Sequence, residues 1–348
     1  MDKSIQYKDT IIIVGKFKGL GGVESVHNNL YDSYRMMGYD VIRIYNINSF
    51  ISLLFRINTE FKIVYFSGLS IFFSPLFLFC QKHVFFVHGF YVHEQESINL
   101  ARSFKKHLYE FITSSCLFFY RWVICIAPSP VSSLINSFKY SRNIKVVHWG
   151  VSEKYLNYPL NKNEFKYHLS FLGRPNSQKL NISSIDLIIN KFIDSKIVFS
   201  AEELNISFLM PQDNKYSINL INTIYEKYKC SIHKFINYND LEICDILSNT
   251  LYYFNCYEWE AFGITNVEAL CLGCNIIIPS TSPIIPMVDN LKESPIYKYN
   301  PPNLLNKNLF TNRVTLNNKR QNSETVKYFR SIFKWELVIT EIHEIINF

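Results

Sequence analysis

Along the 348-residue chain, short continuous apolar runs alternate with longer stretches in which apolar residues recur at helical spacing. "TIIIVG", "VIRIYNI", "FKIVYFSG", "HVFFVHG", "WVICIA" and "IKVVHWG" follow one another through the first 150 residues. A run that is apolar throughout is buried on both faces, the condition of a strand in a parallel sheet covered by crossover helices. The stretch after the first run supplies such a helix, with Val23, Val26, Leu30 and Met37 as apolar positions. After the polar, Asn-rich passage "YLNYPLNKNEFKYH" the alternation resumes with "LSFLG", "KIVFSA", "CSIHKFI", "LYYFNC" and "NIIIPS". The pattern predicts an α/β chain of two doubly wound domains, divided near residue 160.

Length and composition agree with that division: 348 residues exceed one ordinary core, and 48% hydrophobic residues suffice to fill two. "SIFFSPLFLFC" is too short to span a bilayer and "CLFFYRWVICIAP" is broken by Arg121. No apolar h-region follows "MDKSIQYKDT", so a cytoplasmic location is expected. Of eight scattered cysteines only Cys271 and Cys274 are close. They lack the second pair that a zinc site needs and read as small core residues at a helix end. Residues 1–160 hold 17 Lys and Arg against 10 Asp and Glu, and residues 161–348 hold 19 of each, so the net charge of +7 belongs to the first part. That bias fits a surface for anionic lipid or phosphate as well as an ordinary solvated face. The cations are dispersed and no nucleic-acid-binding module accompanies them, so no nucleic-acid partner is expected.

Ligands of doubly wound sheets bind at the carboxyl ends of strands, which singles out the loops directly after each run. In "GKFKGLGGVE", Gly21 and Gly22 precede a helix, where glycine lets backbone amides approach a phosphate. The spacing is not G-x-G-x-x-G and Asp40 precedes the second run, which demotes a nicotinamide-binding site. "FFVHGFYVHE" places His88 at a strand end, as a hydrogen-bonding or acid/base group or as a simple strand cap. "SFLGRPNSQKL" puts Arg174 and Lys179 in one loop, where together they suit a diphosphate.

The fourth loop is "YEWEAFGITNVEALCLG". Thr265 and Glu268 match a T-x-x-E capping box, which alone would account for Glu268, whereas Glu260 lies before the helix and has no capping duty. Between the two acids the amides of Gly263, Ile264 and Thr265, next to Phe262, are expected to face a bound anion from the helix start. A nucleotide sugar has the matching shape, with sugar hydroxyls on one side of a diphosphate and ribose hydroxyls on the other.

"EAFGITNVE", together with "GGVE", the strand-end "VHG", "HWGV", "GR" with a Lys five residues on and the late "FKWELVITEI", resembles the retaining family 4 glycosyltransferases of the GT-B fold over nearly the whole chain. The resemblance implies two Rossmann-like domains facing across a cleft: residues 1–160 for the acceptor, 161–325 for the nucleotide sugar, and 326–348 as a helix returning to the first domain. It implies that Glu260 holds the donor sugar, Glu268 the ribose, Gly263 and Ile264 the diphosphate, with Arg174 and Lys179 offsetting its charge. Gly22 would lie near the phosphates and His88 beside the transferred sugar. The implied activity is transfer from a UDP- or GDP-sugar to a glycan or polyprenyl-diphosphate-linked acceptor with retention, in bacterial surface polysaccharide synthesis such as O-antigen, capsule or lipopolysaccharide.

The sequence departs from the family in the missing glycine after Lys179 and in the aromatic loop at Phe90 and Tyr91, which bear on acceptor choice and on contact with an anionic membrane. No D-x-D triplet occurs, so no cofactor and no essential divalent metal is expected. Two other classes compete: a glycoside hydrolase with two catalytic carboxylates, which has no use for Arg174 and Lys179, and a non-catalytic relative acting as a membrane-associated scaffold.

Overall fold

The computed structural model describes residues 10–17, 22–54, 61–77, 80–88, 120, 122–127, 140–160, 165–173, 182–257, 262–288, 294–299, 316 and 318–347, with single positions at 111, 114, 115, 117, 131, 134 and 135. Two compact units divide them, Met1–Gly150 with Trp335–Phe348, and Val151–Lys334.

In the first unit, β1 (Thr10–Val14), β2 (Asp40–Ile44), β3 (Phe61–Ser67), β4 (Lys82–Val87), β5 (Trp122–Cys125) and β6 (Ile144–Val146) form one parallel sheet in the order β2-β1-β3-β4-β5-β6. All five residues of β1 are buried, as its uninterrupted apolar run requires. Helix α1 (Gly22–Met36) connects β1 to β2, and α2 (Ile47–Leu54) leads toward β3. The order reverses at β1: β2 lies on one side of it and β3 on the other, which makes the carboxyl ends of β1 and β3 the switch point.

The second unit repeats the plan. Strands β7 (Tyr167–Leu172), β8 (Asn205–Met210), β9 (Ser231–Ile236), β10 (Thr250–Phe254), β11 (Asn275–Pro279) and β12 (Ile296–Tyr299) are all parallel, in the order β12-β11-β10-β7-β8-β9. The chain runs β7 to β9 outward, then returns to place β10 on the other face-side neighbour position of β7, so the switch point lies between β7 and β10. Between the strands lie α3 (Glu153–Leu156), α4 (Ile182–Asp194), α5 (Lys215–Tyr228), α6 (Asp240–Ser248), α7 (Ile264–Cys271) and α8 (Ile285–Val288), α3 preceding β7.

One strand expectation fails here. "KIVFSA" is a turn after α4: Lys196 has φ 57°, the Ile197 amide bonds back to Phe192 O at 3.0 Å, and Ile197 and Val198 are buried while Phe199 is 84% exposed. The run is apolar because it closes the helix end against the core. The strand is instead "NISFLM", Asn205–Met210, and "IYKY" supplies an edge strand that the apolar pattern did not single out.

The tail divides at Lys334. Helix α9 (Ser323–Ile332) belongs to the second unit, where the Val151–Lys334 bridge and a bond from Arg330 Nη2 to Tyr158 O (2.7 Å) hold it. Helix α10 (Trp335–Asn347) belongs to the first. Its Trp335 ring stacks on Trp149 (centroids 5.6 Å apart), His343 lies against Tyr34 (5.4 Å), and Lys82 Nζ donates to Ile346 O at 3.1 Å. The compact units thus divide at 150/151 and 334/335, because residues 151–160 and α9 make their bonds within the second core.

Both Trp rings are buried. Trp335→Ala is expected to cost the first unit about 3–5 kcal/mol. Hydrogen exchange should show lost protection in β1–β4 with β7–β12 unchanged; equal loss in both sheets would contradict this division.

Candidate functional site

At the carboxyl edge of the second sheet, β10 ends at Phe254 and the chain turns at Asn255. Its Oδ1 accepts from the Tyr257 amide (2.9 Å), its Nδ2 donates to Asn266 Oδ1 (3.2 Å), and its carbonyl accepts from Tyr299 Oη (3.1 Å). One buried side chain thereby ties the strand end to α7. Phe262 is buried, and Gly263, with φ 81°, is the N-cap of α7, a left-handed conformation that any β-carbon would strain.

The capping box is not formed. The helix begins at Ile264, its N-cap has no side-chain hydrogen bond, and the Thr265 hydroxyl accepts from Tyr253 Oη at 3.1 Å instead. Glycine in the left-handed region sets the helix start two residues before the position that Thr265 would have needed to occupy. Glu268 therefore has no capping role.

The other end of α7 is saturated. Arg320 donates through Nη2 to Leu272 O (2.6 Å), through Nε to Gly273 O (3.3 Å) and through Nη1 to Ser248 O, and Arg330 Nε donates to Cys271 O (2.8 Å). Two guanidinium groups meet the negative end of the helix dipole, while the N-cap at its positive end is a glycine and no side-chain cap is present among the described residues. An anion at that end would find amide donors and a favourable field.

Glu268 lies on this helix with 7% of its surface exposed and no hydrogen bond among the described residues. Burial pushes its carboxyl up to about 8, and Asp240 on α6 adds to the shift. Tyr155 and Tyr238 share its surroundings: the carboxylate adds to burial in raising both phenols, Tyr238 to about 12. A buried carboxyl with no hydrogen bond among the described residues has acceptor capacity to spare.

The topology also brings the phosphate-loop expectation to the same edge. Strands β7 and β10 are paired, Tyr253 opposite Ser170. The segment with Arg174 and Lys179 follows β7, and the segment with Glu260 follows β10, so both leave the sheet from the two strands that flank the switch point. Arg174, Lys179 and Glu260 themselves lie outside the described residues, as do Gly21, Phe90 and Tyr91.

In the first unit, His88 follows β4. Its Nε2 is shut off from solvent with no hydrogen-bond partner among the described residues, and burial, then His27, push its imidazole well below the ordinary range. Gly22 opens α1. The sequence reading missed His27, which is buried on α1: Nδ1 donates to Lys16 O (2.7 Å) and Nε2 accepts from Ser67 Oγ (2.6 Å), a tautomer that the carbonyl dictates. Its place beside Val26 and three residues before Leu30 on the apolar face was the available signal. Gly15 makes room for it, since a β-carbon there would stand 2.3 Å from His27 Cε1. His27 and Ser67 thus join α1 to the ends of β1 and β3, the switch point of this sheet.

Full-length comparison with solved structures bears on the arrangement. Sucrose-phosphate synthase from Thermosynechococcus elongatus matches with a TM-score of 0.68 at 11% identity, over 97% of this chain and 98% of its own. WaaG, a glycosyltransferase involved in lipopolysaccharide biosynthesis, matches with 0.61 at 9% identity, over 97% and 99%. HepE from Anabaena, solved with UDP and glucose, matches with 0.61 at 10% identity, over 97% and 98%. The chain has the GT-B fold. No protein-family model matches it, and no curated protein sequence does. Among the described residues of this GT-B chain, no group of three or more His, Cys, Asp or Glu could hold a metal ion, and no helix is long and apolar enough to cross a membrane. Cys271 and Cys274 are buried free thiols at the end of α7.

A carboxyl raised in the folded state lends stability that is complete below the unfolded value near pH 4 and lost as pH rises through about 8. Glu268→Gln removes that loss. Its melting temperature is expected to match the parent at pH 4.5 and exceed it increasingly toward pH 8; a constant difference across that range would contradict a buried, unpaired Glu268.

Proposed function

We propose that the protein is a glycosyltransferase that moves a sugar from a UDP- or GDP-sugar to a glycan or lipid-linked glycan acceptor. The observation that carries the reading is the polarised α7 at the β7–β10 switch point, with a glycine N-cap, a carboxyl end held by Arg320 and Arg330, and the buried Glu268, which has no hydrogen bond among the described residues. The GT-B neighbours include a protein solved with UDP and glucose, which makes a nucleotide sugar the natural ligand for that edge.

In this reading the diphosphate sits on the Gly263, Ile264 and Thr265 amides, Glu268 accepts the ribose hydroxyls, and Glu260 accepts those of the donor sugar. Arg174 and Lys179 bind the same diphosphate. As the glycosidic bond breaks, negative charge grows on the departing phosphate, so the two cations and the helix-start amides act more strongly on the transition state than on the bound donor. They take the place of a divalent metal. His88 hydrogen-bonds a sugar hydroxyl as a neutral imidazole. Transfer with retention, with the departing phosphate assisting deprotonation of the acceptor, follows the family resemblance, as does a role in surface polysaccharide synthesis on the cytoplasmic side. The basic first 160 residues suit a polyprenyl-diphosphate-linked acceptor at an anionic membrane face. A raised carboxyl is also what a hydrolase acid needs, and the donor experiment separates the two.

Titration calorimetry with UDP and GDP in EDTA tests the reading. One diphosphate is expected to bind, with Lys179→Ala and Glu268→Ala each losing about 10- to 100-fold, the worth of a hydrogen bond to a charged group. Because the ribose favours ionised Glu268, affinity should climb from pH 7 and level off above about 8. Folded protein that binds neither nucleotide would return the choice to a hydrolase or a scaffold.

A further inference from the structure

His88 is enclosed by rings in a way the transfer reading does not require. The His27 ring meets it edge-on at 5.5 Å between centroids (74°), the Trp149 ring lies at 5.6 Å (37°), and Phe86 stands at 6.5 Å. Each wall is itself fixed. His27 is bonded at both nitrogens, to Lys16 O and Ser67 Oγ, and the latter residue is tied through its amide to Ser70 Oγ at 2.8 Å. Trp149 is wedged edge-on against Phe86 (5.0 Å, 85°) and stacked on Trp335 of α10. Among the described residues His88 Nε2 has no hydrogen-bond partner, and neither has Trp149 Nε1, so two ring nitrogens of this cluster are left open while His27 is bonded at both of its own. A buried polar nitrogen left without a hydrogen bond calls for an explanation, and an approaching ligand group is one.

We propose that His27 and Trp149 are positioning residues for His88, holding its ring in one orientation and excluding water so that Nε2 is kept for a hydroxyl of the sugar or its acceptor. The proposal rests on the glycosyltransferase reading for the identity of that hydroxyl, but not for the cradle. Three elements supply the walls. From α1 comes His27, neutral because burial lowers it, with Glu24 acting on it in the opposite sense. From β4 comes Phe86, and from the segment after β6 comes Trp149, neither of which carries charge. His27 is therefore the one titratable group that bears on His88 among the described residues. The cradle also gives α10 a part in the site, since Trp335 backs Trp149.

The test is the His88 ring resonance in carbon-proton correlation spectra of the full chain between pH 5 and 8, assigned with His88→Gln, alongside kcat and KM for the donor. In the parent protein the resonance is expected to titrate well below the ordinary imidazole range. In Trp149→Leu and in His27→Gln it should titrate at least one pH unit higher than in the parent, with kcat lower by about 10²-fold, the cost of a misplaced group, and donor KM unchanged. Trp149→Phe, which keeps a ring in place, should restore most of both. Should Trp149→Leu fail to fold, His27→Gln and Trp149→Phe carry the comparison. A parent His88 that titrates at its ordinary value, or folded variants whose His88 titrates like the parent, would overturn the proposal. If no donor is turned over, the transfer reading falls, and the resonance still decides the cradle.

Discussion

A short helix with one end saturated and the other left bare is the constraint from which the second unit follows. Arg320 and Arg330 occupy the carbonyls at the end of α7, and neither leaves that end of the dipole open to another cation. The opposite end rests on a left-handed glycine with no capping side chain. For this to be stable without ligand, the helix must be held by packing, and Asn266 through Cys271 are all buried. The Asn255–Asn266 bond then fixes the bare end at the carboxyl edge of β10, next to β7, from which the cationic segment departs.

Burial also sets the charge state of Glu268 and His88, the two described groups on which the proposed function rests. Glu268 is held up near 8 and His88 well down for the same reason: burial disfavours the charged form of each, and one titratable neighbour, Asp240 or His27, adds to the shift. In the proposed reading Glu268 accepts the ribose hydroxyls and His88 bonds a hydroxyl of the sugar. Stability given up at such positions is the ordinary counterpart of a preformed site.

Much of this was legible in the chain. Continuous apolar runs marked all six strands of the first sheet and four of the second, and the clearest of them, such as β1, β10 and β11, are the ones buried along their whole length. "KIVFSA" misled because a helix end folding onto the core needs the same apolar residues as a strand, and only the left-handed Lys196 distinguishes them. Thr265 and Glu268 had the letters of a capping box, but Gly263 decided where the helix starts. His88 was visible at its strand end. His27 was not, since a histidine on an apolar helix face is recognisable only once Lys16 O and Ser67 Oγ are seen to bond it. The depth of Glu268 depends on α3 and α6 packing beside α7, which local pattern does not express.

The most direct measurement is of the backbone amides of Gly263, Ile264 and Thr265 in nitrogen-proton correlation spectra as UDP or GDP is added without metal. The account predicts that these three amides shift most, with those of Leu272 and Gly273 at the saturated end unmoved. Saturable binding that leaves the start of α7 unperturbed would contradict it.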